Sequence, residues 1–382
     1  MESRLGSGSY SVVFKATSRR TREPFAIRKI YDGLRFQMDR TLTLRELFIL
    51  TELNHFNIIS LIQMYRPSLK NDAYVVYEFV EADLDAVLRA RILEDVHKVY
   101  VFYQLLKAIK YIHSAGIVHN NLKPSNILIN SECIIKVADF AHARFFGDVK
   151  EVDTGMFQYV EPRWYISPEV LLGCTYFSKE MDIWSLGCIF GEMLLGKKLF
   201  PGTSTINQID RIFEITGMPS KEDLLDIPSQ YAEALIESLP FPQKRSFKKE
   251  LCGCLPETRK LLKRFLVFNP AKRILIDEAL VHPYVSQFFD VKEMKTRSPL
   301  KSPFDTSKMS SLQYGNELFD TFKKNCLNRQ RFIDWPMIHQ LLPPKKQEMV
   351  EEFLLVLQIF CKVPKDLSII LIQTTLIYLM YN

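Results

Sequence analysis

Residues 119–126, His119-Asn120-Asn121-Leu122-Lys123-Pro124-Ser125-Asn126, with Asp139-Phe140-Ala141 a short way downstream, gather amides, a lysine and an acid between two long apolar stretches. Before them, DVHKVYVFYQLLKAIKYIHSAG has helical period and ends at Gly116, a helix stop. After them, residues 182–196, DIWSLGCIFGEMLLG, are apolar nearly all round, which marks a helix buried at the centre of a lobe. Farther upstream, residues 1–80 alternate short β-rich runs, among them VVFKA and FAIRKI, with one helical stretch, RTLTLRELFILTEL. YVVYEFVEADL then leads from a strand into a polar connector. The pattern predicts an α+β chain with a small β-rich lobe over residues 1–80 and a large helical lobe over residues 81–290. Within the second lobe, residues 219–256 read as a polar, charge-mixed insert. Residues 291–382 read as a flexible linker and a C-terminal extension, because TRSPLKSPFDTSKMSS is rich in Ser, Pro and Lys.

Length and composition narrow the classes further. The 382 residues, 47% of them hydrophobic, suffice for a two-lobed body and an appendage. The net charge of +6 comes from 50 basic and 44 acidic residues spread along the chain, without the dense basic block that grips nucleic acid or anionic lipid. Neither nucleic acid nor a membrane is therefore an expected partner. The seven cysteines are scattered, and Cys252 and Cys254 lack the second pair or nearby histidines of a zinc site, so a reducing compartment is expected. The start, MESRLGSGSY, has no apolar leader core, which makes the cytoplasm the expected location, with the nucleus as a second one. The uncharged run from Leu367 to Met380 is shorter than the about 17 to 25 residues of a spanning helix. It reads as a strand or helix packed on the body, a tail anchor or a mis-predicted exon end.

Gly6-Ser7-Gly8-Ser9-Tyr10-Ser11, followed by Val13 and Lys15, reads as a strand turning tightly where glycines let backbone N–H groups approach phosphates. It opens an ordered series: Ala26-Ile27-Arg28, Glu46, the 119–126 stretch, Asp139-Phe140-Ala141, Ser167-Pro168-Glu169, Asp182 and Arg273. In that order and spacing, over about residues 4–290, the chain resembles eukaryotic protein kinases. Through RWYISPEVLLG, DIWSLGCIFGEMLLGKKLFPGTSTINQI and the insert before NPAKR it is similar to MAP kinases, nearest to the atypical extracellular-signal-regulated kinases of the seven/eight branch. The resemblance implies a bilobal fold with ATP between the lobes.

It also implies roles, position by position. Asp139 and Asn126 match the two magnesium ligands, and hard oxygens are what Mg²⁺ wants. Gly6 and Gly8 match the phosphate loop, and Val13, Ala26 and Leu128 the apolar residues around adenine. Glu78 and Val80 match the hinge that offers backbone to its edge, behind Tyr77 as gatekeeper. Glu169 and Arg273 match a buried ion pair, and His119 is expected to pack on Phe140.

Other positions depart from the family. Asn121 stands where the family has its catalytic aspartate, and an amide has no useful basicity there. Arg28 stands where a lysine bridges the phosphates to Glu46, and a planar guanidinium is not a compact ammonium. Lys29 is adjacent, but strand alternation turns it to the other face. Ser11 replaces the third loop glycine and Ala141 the glycine after Asp-Phe. Tyr159 fits the tyrosine of the activation switch, whereas Phe157 replaces its threonine, and Asn120 and Ile166 replace arginines that would receive the phosphates. Pro162 replaces a threonine that ties the substrate loop to the catalytic aspartate, and Lys123 is either the charge-neutralising lysine of an active kinase or a plain loop lysine.

The expected function is a serine/threonine-kinase-like domain acting as a catalytically impaired pseudokinase, a scaffold or allosteric partner of another kinase, a phosphatase or a cytoskeletal protein. A weakly active ATP-dependent serine/threonine kinase is the alternative. ATP and Mg²⁺, weakly held, are the expected ligands. Ser298-Pro299 and Ser302-Pro303 have the form of proline-directed phosphorylation sites, a form that is also frequent in linkers.

Overall fold

The computed structural model describes residues 3–7, 11–18, 22–31, 37–65, 73–145, 162–174, 176–229, 231–239, 241–243 and 245–300, with residues 313 and 320 beyond them. Gly8, Phe157, Tyr159, Ser302-Pro303 and the apolar run 367–380 lie outside the described residues. The chain divides into two units, residues 1–322 and 323–382, and the second lies wholly outside them.

The first strands form a five-stranded antiparallel sheet in the order β1-β2-β3-β5-β4. They are β1 (Ser3–Ser7), β2 (Ser11–Thr17), β3 (Pro24–Ile30), β4 (Leu61–Tyr65) and β5 (Ala73–Glu78), with helix α1 (Gln37–Glu52) inserted after β3. Val13 lies opposite Arg28, Lys15 opposite Ala26, and Ala26 opposite Tyr77. Strand alternation therefore sets Ser11, Val13, Ala26, Arg28 and Tyr77 on one face. Lys29 is on the other, its ammonium over the rings of Tyr31 and Tyr74 at 4.6 and 5.7 Å.

The chain next runs through β6 (Ala82–Asp83), α2 (Leu84–Ala90) and α3 (Asp95–Ser114). Asp83 caps α2 by accepting from the Ala86 amide at 2.8 Å. β7 (Ile117–Val118), β8 (Ile127–Ile129), β9 (Ile135–Val137) and β10 (Arg144–Phe145) follow, with β6, β8 and β9 in one small sheet and β7 and β10 in another. The helices after them are α4 (Pro168–Leu171), α5 (Lys179–Leu195), α6 (Thr205–Thr216), α7 (Lys221–Leu225), α8 (Ala232–Glu237), α9 (Phe247–Glu250), α10 (Pro256–Phe265) and α11 (Ile276–Leu280).

α5 is the axis of this helical part, buried without interruption from Met181 to Met193 and ended by Gly196 in the left-handed region. Phe190 stacks on Phe102 of α3 at 4.2 Å, and Phe265 of α10 meets Phe102 edge-on at 5.6 Å. Each such ring contributes about 1.5 to 3 kcal/mol by leaving water. Gly187 permits this packing: a Cβ there would stand 2.7 Å from the Phe265 Cβ. The buried pair expected from the motifs is present, with Arg273 Nη1 and Nη2 donating to the two Glu169 carboxylate oxygens at 2.7 and 2.6 Å. Among the described residues no helix is long and apolar enough to cross a membrane, no three His, Cys, Asp or Glu side chains gather as a metal site, and Cys133, Cys174, Cys188, Cys252 and Cys254 are free.

Residues 291–300, read from composition as the start of a flexible linker, are docked. The Arg297 amide donates to Ser114 Oγ at 3.0 Å and the Leu300 amide to the Ala115 carbonyl at 2.7 Å. The Arg297 guanidinium donates to the Glu52 carbonyl and lies 3.3 Å from its carboxylate. Ser- and Pro-rich composition marks a segment without a core of its own, yet its backbone donors still find acceptors on a neighbouring surface.

Candidate functional site

Arg28 and Glu46 meet where β3 faces α1. Arg28 Nη1 donates to Glu46 Oε2 at 2.7 Å, and Arg28 Nε donates to Ser11 Oγ at 3.1 Å. Ser11 and Arg28 are diagonal neighbours on adjacent strands, a distance that a long side chain spans. The two departures at residues 11 and 28 thus form one polar unit: the hydroxyl in the third-glycine position accepts from the guanidinium in the lysine position. Burial raises the Glu46 pKa against the lowering pull of Arg28. The Tyr77 hydroxyl, buried beside this pair, is pushed up chiefly by burial as well.

Asp182 of α5 builds the loop on the facing side of the cleft. Fully buried, it accepts from the backbone amides of His119 and Asn120 at 2.8 and 2.9 Å, and its carboxylate is 2.9 Å from His113 Nε2. Asn120 sits at φ +61°, in the left-handed region that asparagine tolerates better than most side chains. The His119 ring packs edge-on against Phe140 at 4.8 Å and bonds the Ala138 carbonyl at 3.1 Å, and burial lowers its pKa. This is a packing role, as the sequence suggests.

Asn121, Asn126 and Asp139 converge. Asn121 Nδ2 donates to Asp139 Oδ2 at 2.8 Å, and Asn126 Nδ2 donates to the same oxygen at 3.1 Å and to the Asn121 carbonyl at 2.8 Å. A carboxylate only accepts, so the amide nitrogens and not the amide oxygens face Asp139. Asp139 Oδ1 and Asn126 Oδ1 accept no hydrogen bond among the described residues. Two hard oxygens thus remain, and the donor set fits a magnesium ion with a nucleotide's phosphates completing its shell.

Val13, Ala26, Val80 and Leu128 are half-buried on β2, β3, the segment after β5, and β8. Gly6 pairs with Val13 in β1 and is exposed. The Glu78 side chain is turned to other work: its carboxylate accepts from the Ser60 amide at 2.7 Å and lies 3.1 Å from Lys136 Nζ. Lys123 is half-buried beside Asn121, and with Asn121, Pro162 and Ile166 it lines a recess of about 30 Å³, room for one or two waters. The Ser11 bond to Arg28 and the two anchors that Asp182 gives the loop are not visible in motif spacing. The signal for the first is the joint occurrence of serine and arginine at diagonal strand positions.

Comparison with known proteins agrees with this geometry. The protein kinase domain family matches residues 1–285. The chain is 44% identical to extracellular signal-regulated kinase 2 of Dictyostelium discoideum, over 86% of this chain and 91% of that protein. It is 41% identical to mitogen-activated protein kinase 15 of Xenopus laevis over 87% of this chain, but spans only 58% of that relative. With extracellular signal-regulated kinase 7 of Drosophila melanogaster it shares 39% identity over 85% of its own length and 37% of the relative's. With a β-sheet lobe, a helical lobe and the kinase motifs set between them, the chain belongs to the protein kinase family and is a homologue of the MAP kinases.

Proposed function

We propose that this chain is a MAP-kinase-like pseudokinase, one that keeps a nucleotide cleft and works as a signalling scaffold or allosteric partner instead of transferring phosphate. The observation that carries the reading is the Asn121 amide, whose nitrogen is spent on Asp139 at 2.8 Å. A general base at that place needs a lone pair aimed at the substrate hydroxyl; an amide supplies none of useful basicity, and its loss costs about 10²- to 10⁴-fold in rate. Kinases generally use ATP and Mg²⁺. Here Asn126 and Asp139 would hold the metal, which neutralises phosphate charge, while Val13, Ala26 and Leu128 would enclose the base and Gly6 and Gly8 approach the phosphates. Arg28 would remain tied to Glu46 and Ser11. MAP-kinase homologues generally interact with other kinases and phosphatases, and these are the partner classes proposed for this chain.

One observation favours a weakly active kinase instead. Arg28 reaches Glu46 at 2.7 Å, so the bridge from β3 to α1 is made despite the changed residue. In a loose transition state proton transfer comes late, so a missing base lowers the rate without abolishing it. The deciding experiment is phosphotransfer from Mg-ATP by the purified chain, beside Asp139→Asn as the control for contaminating kinase. Turnover indistinguishable from that control is expected. Turnover that Asp139→Asn removes would overturn the pseudokinase reading. A triple variant, Asn121→Asp with Arg28→Lys and Ser11→Gly, is expected to regain measurable transfer if those positions alone silence the site.

A further inference from the structure

The docked segment 291–300 carries a feature that the nucleotide cleft does not use. Helix α1 has no basic residue in its own last turn, although the carbonyl end of a helix favours a cation. Arg297 supplies that charge from far along the chain, bonding both the carbonyl and the carboxylate of Glu52, the last residue of α1. Two residues on, Pro299 seats against Gly116: a Cβ at Gly116, whose φ is +76°, would lie 3.2 Å from the Pro299 Cβ. Ser298 stands between these two anchors, with its side chain exposed. Followed by Pro299, it has the dipeptide form that a proline-directed kinase reads.

We propose that Ser298 is a phosphorylation site for a proline-directed serine/threonine kinase, and that its phosphate releases Arg297 from the end of α1. In the modifying step Ser298 Oγ bonds to the γ-phosphorus of ATP held by that kinase. The bond from this phosphorus to the ADP oxygen breaks, ADP leaves, and the hydroxyl proton passes to the modifying kinase's base. The product places a charge of about −1.5 to −2 on the residue next to Arg297. Two forces then act in the same direction. A phosphate competes for the guanidinium through charge-assisted, bidentate bonds, and it repels the Glu52 carboxylate. The end of α1 then loses the Arg297 cation, within two turns of the Glu46 that holds Arg28.

The test treats the full chain with a cyclin-dependent-type proline-directed kinase and ATP, locates phosphate by peptide mass, and follows amide hydrogen exchange across residues 48–54. Phosphate at Ser298, absent in Ser298→Ala, is expected, with exchange in that window about fivefold faster, the size of losing a half-buried ion pair. Arg297→Ala is expected to loosen the same window without phosphate and to show no further gain when Ser298 is phosphorylated. Phosphate confined to other positions, phosphate at Ser298 without faster exchange, or an equal further gain in Arg297→Ala would overturn the proposal. None of these readouts depends on nucleotide binding by the chain itself.

Discussion

His55 shows how far a single buried residue can set the response to acid. Its ring stacks on Tyr111 at 5.0 Å, and its Nδ1 accepts from the Asn57 amide at 3.1 Å. Burial, reinforced by Lys107, Lys295 and Lys136, lowers its pKa from 6.5 to about 4. The unfolded chain therefore binds this proton at a higher pH than the folded one. The stability that goes with the neutral ring is complete above pH 6.5 and is lost as pH falls toward 4, by roughly 3 kcal/mol at most. His55→Asn, whose side-chain oxygen can accept the same amide, is expected to lose less melting temperature over this range than the parent protein, in which the buried His119 and the half-buried His142 also resist protonation. If the two proteins lose melting temperature in parallel from pH 7 to 4.5, His55 is not the titrating group. Readings at this scale were partly open to the sequence. The pairing of position 28 with Glu46 follows from motif order, whereas the reach of Arg28 to Ser11 depends on strand register, which motif spacing does not contain.

At the scale of elements, α5 was legible because a helix apolar all round has only one place to go, the middle of a lobe. What its sequence does not declare is that Gly187 lies directly against Phe265 of α10. Gly187→Ala places a methyl 2.7 Å from the Phe265 Cβ, so α10 must shift. The gain in helix propensity, about 1 kcal/mol, is smaller than the about 1 to 3 kcal/mol of overpacking. A net fall in melting temperature is expected from calorimetry, and an unchanged or raised one would mean that the α5–α10 contact yields easily. Segment 291–300 escaped composition for the opposite reason. No apolar period announces it, and its attachment is through backbone amides, Arg297, the ion pair of Glu293 with Lys107 and the seat of Pro299 on Gly116, single contacts that no pattern of residue types reveals.

For the whole molecule, the proposed function rests on two sides of the cleft that carry different residues. The magnesium side keeps Asp139 and Asn126 with an oxygen each to offer, while the base position and the phosphate-anchoring position have become Asn121 and Arg28. On the proposed reading, nucleotide binds without being turned over. A thermal-shift titration with ATP is expected to raise the melting temperature by roughly 2 °C or more at saturation when Mg²⁺ is present, and less when it is absent. No shift at millimolar ATP would mean that the cleft is architecture alone. The Arg28 and Ser11 pair ties, finally, two positions of the cleft together. A lysine at 28 would replace the planar fork that now meets Ser11 and Glu46 from two nitrogens by one compact ammonium, and a glycine at 11 would take an acceptor from a half-buried guanidinium. Either single change is expected to cost up to about 1 to 3 kcal/mol. The two positions are therefore coupled: Arg28→Lys and Ser11→Gly together are expected to cost less than the sum of the single changes, so position 28 exchanges most easily as one half of a pair.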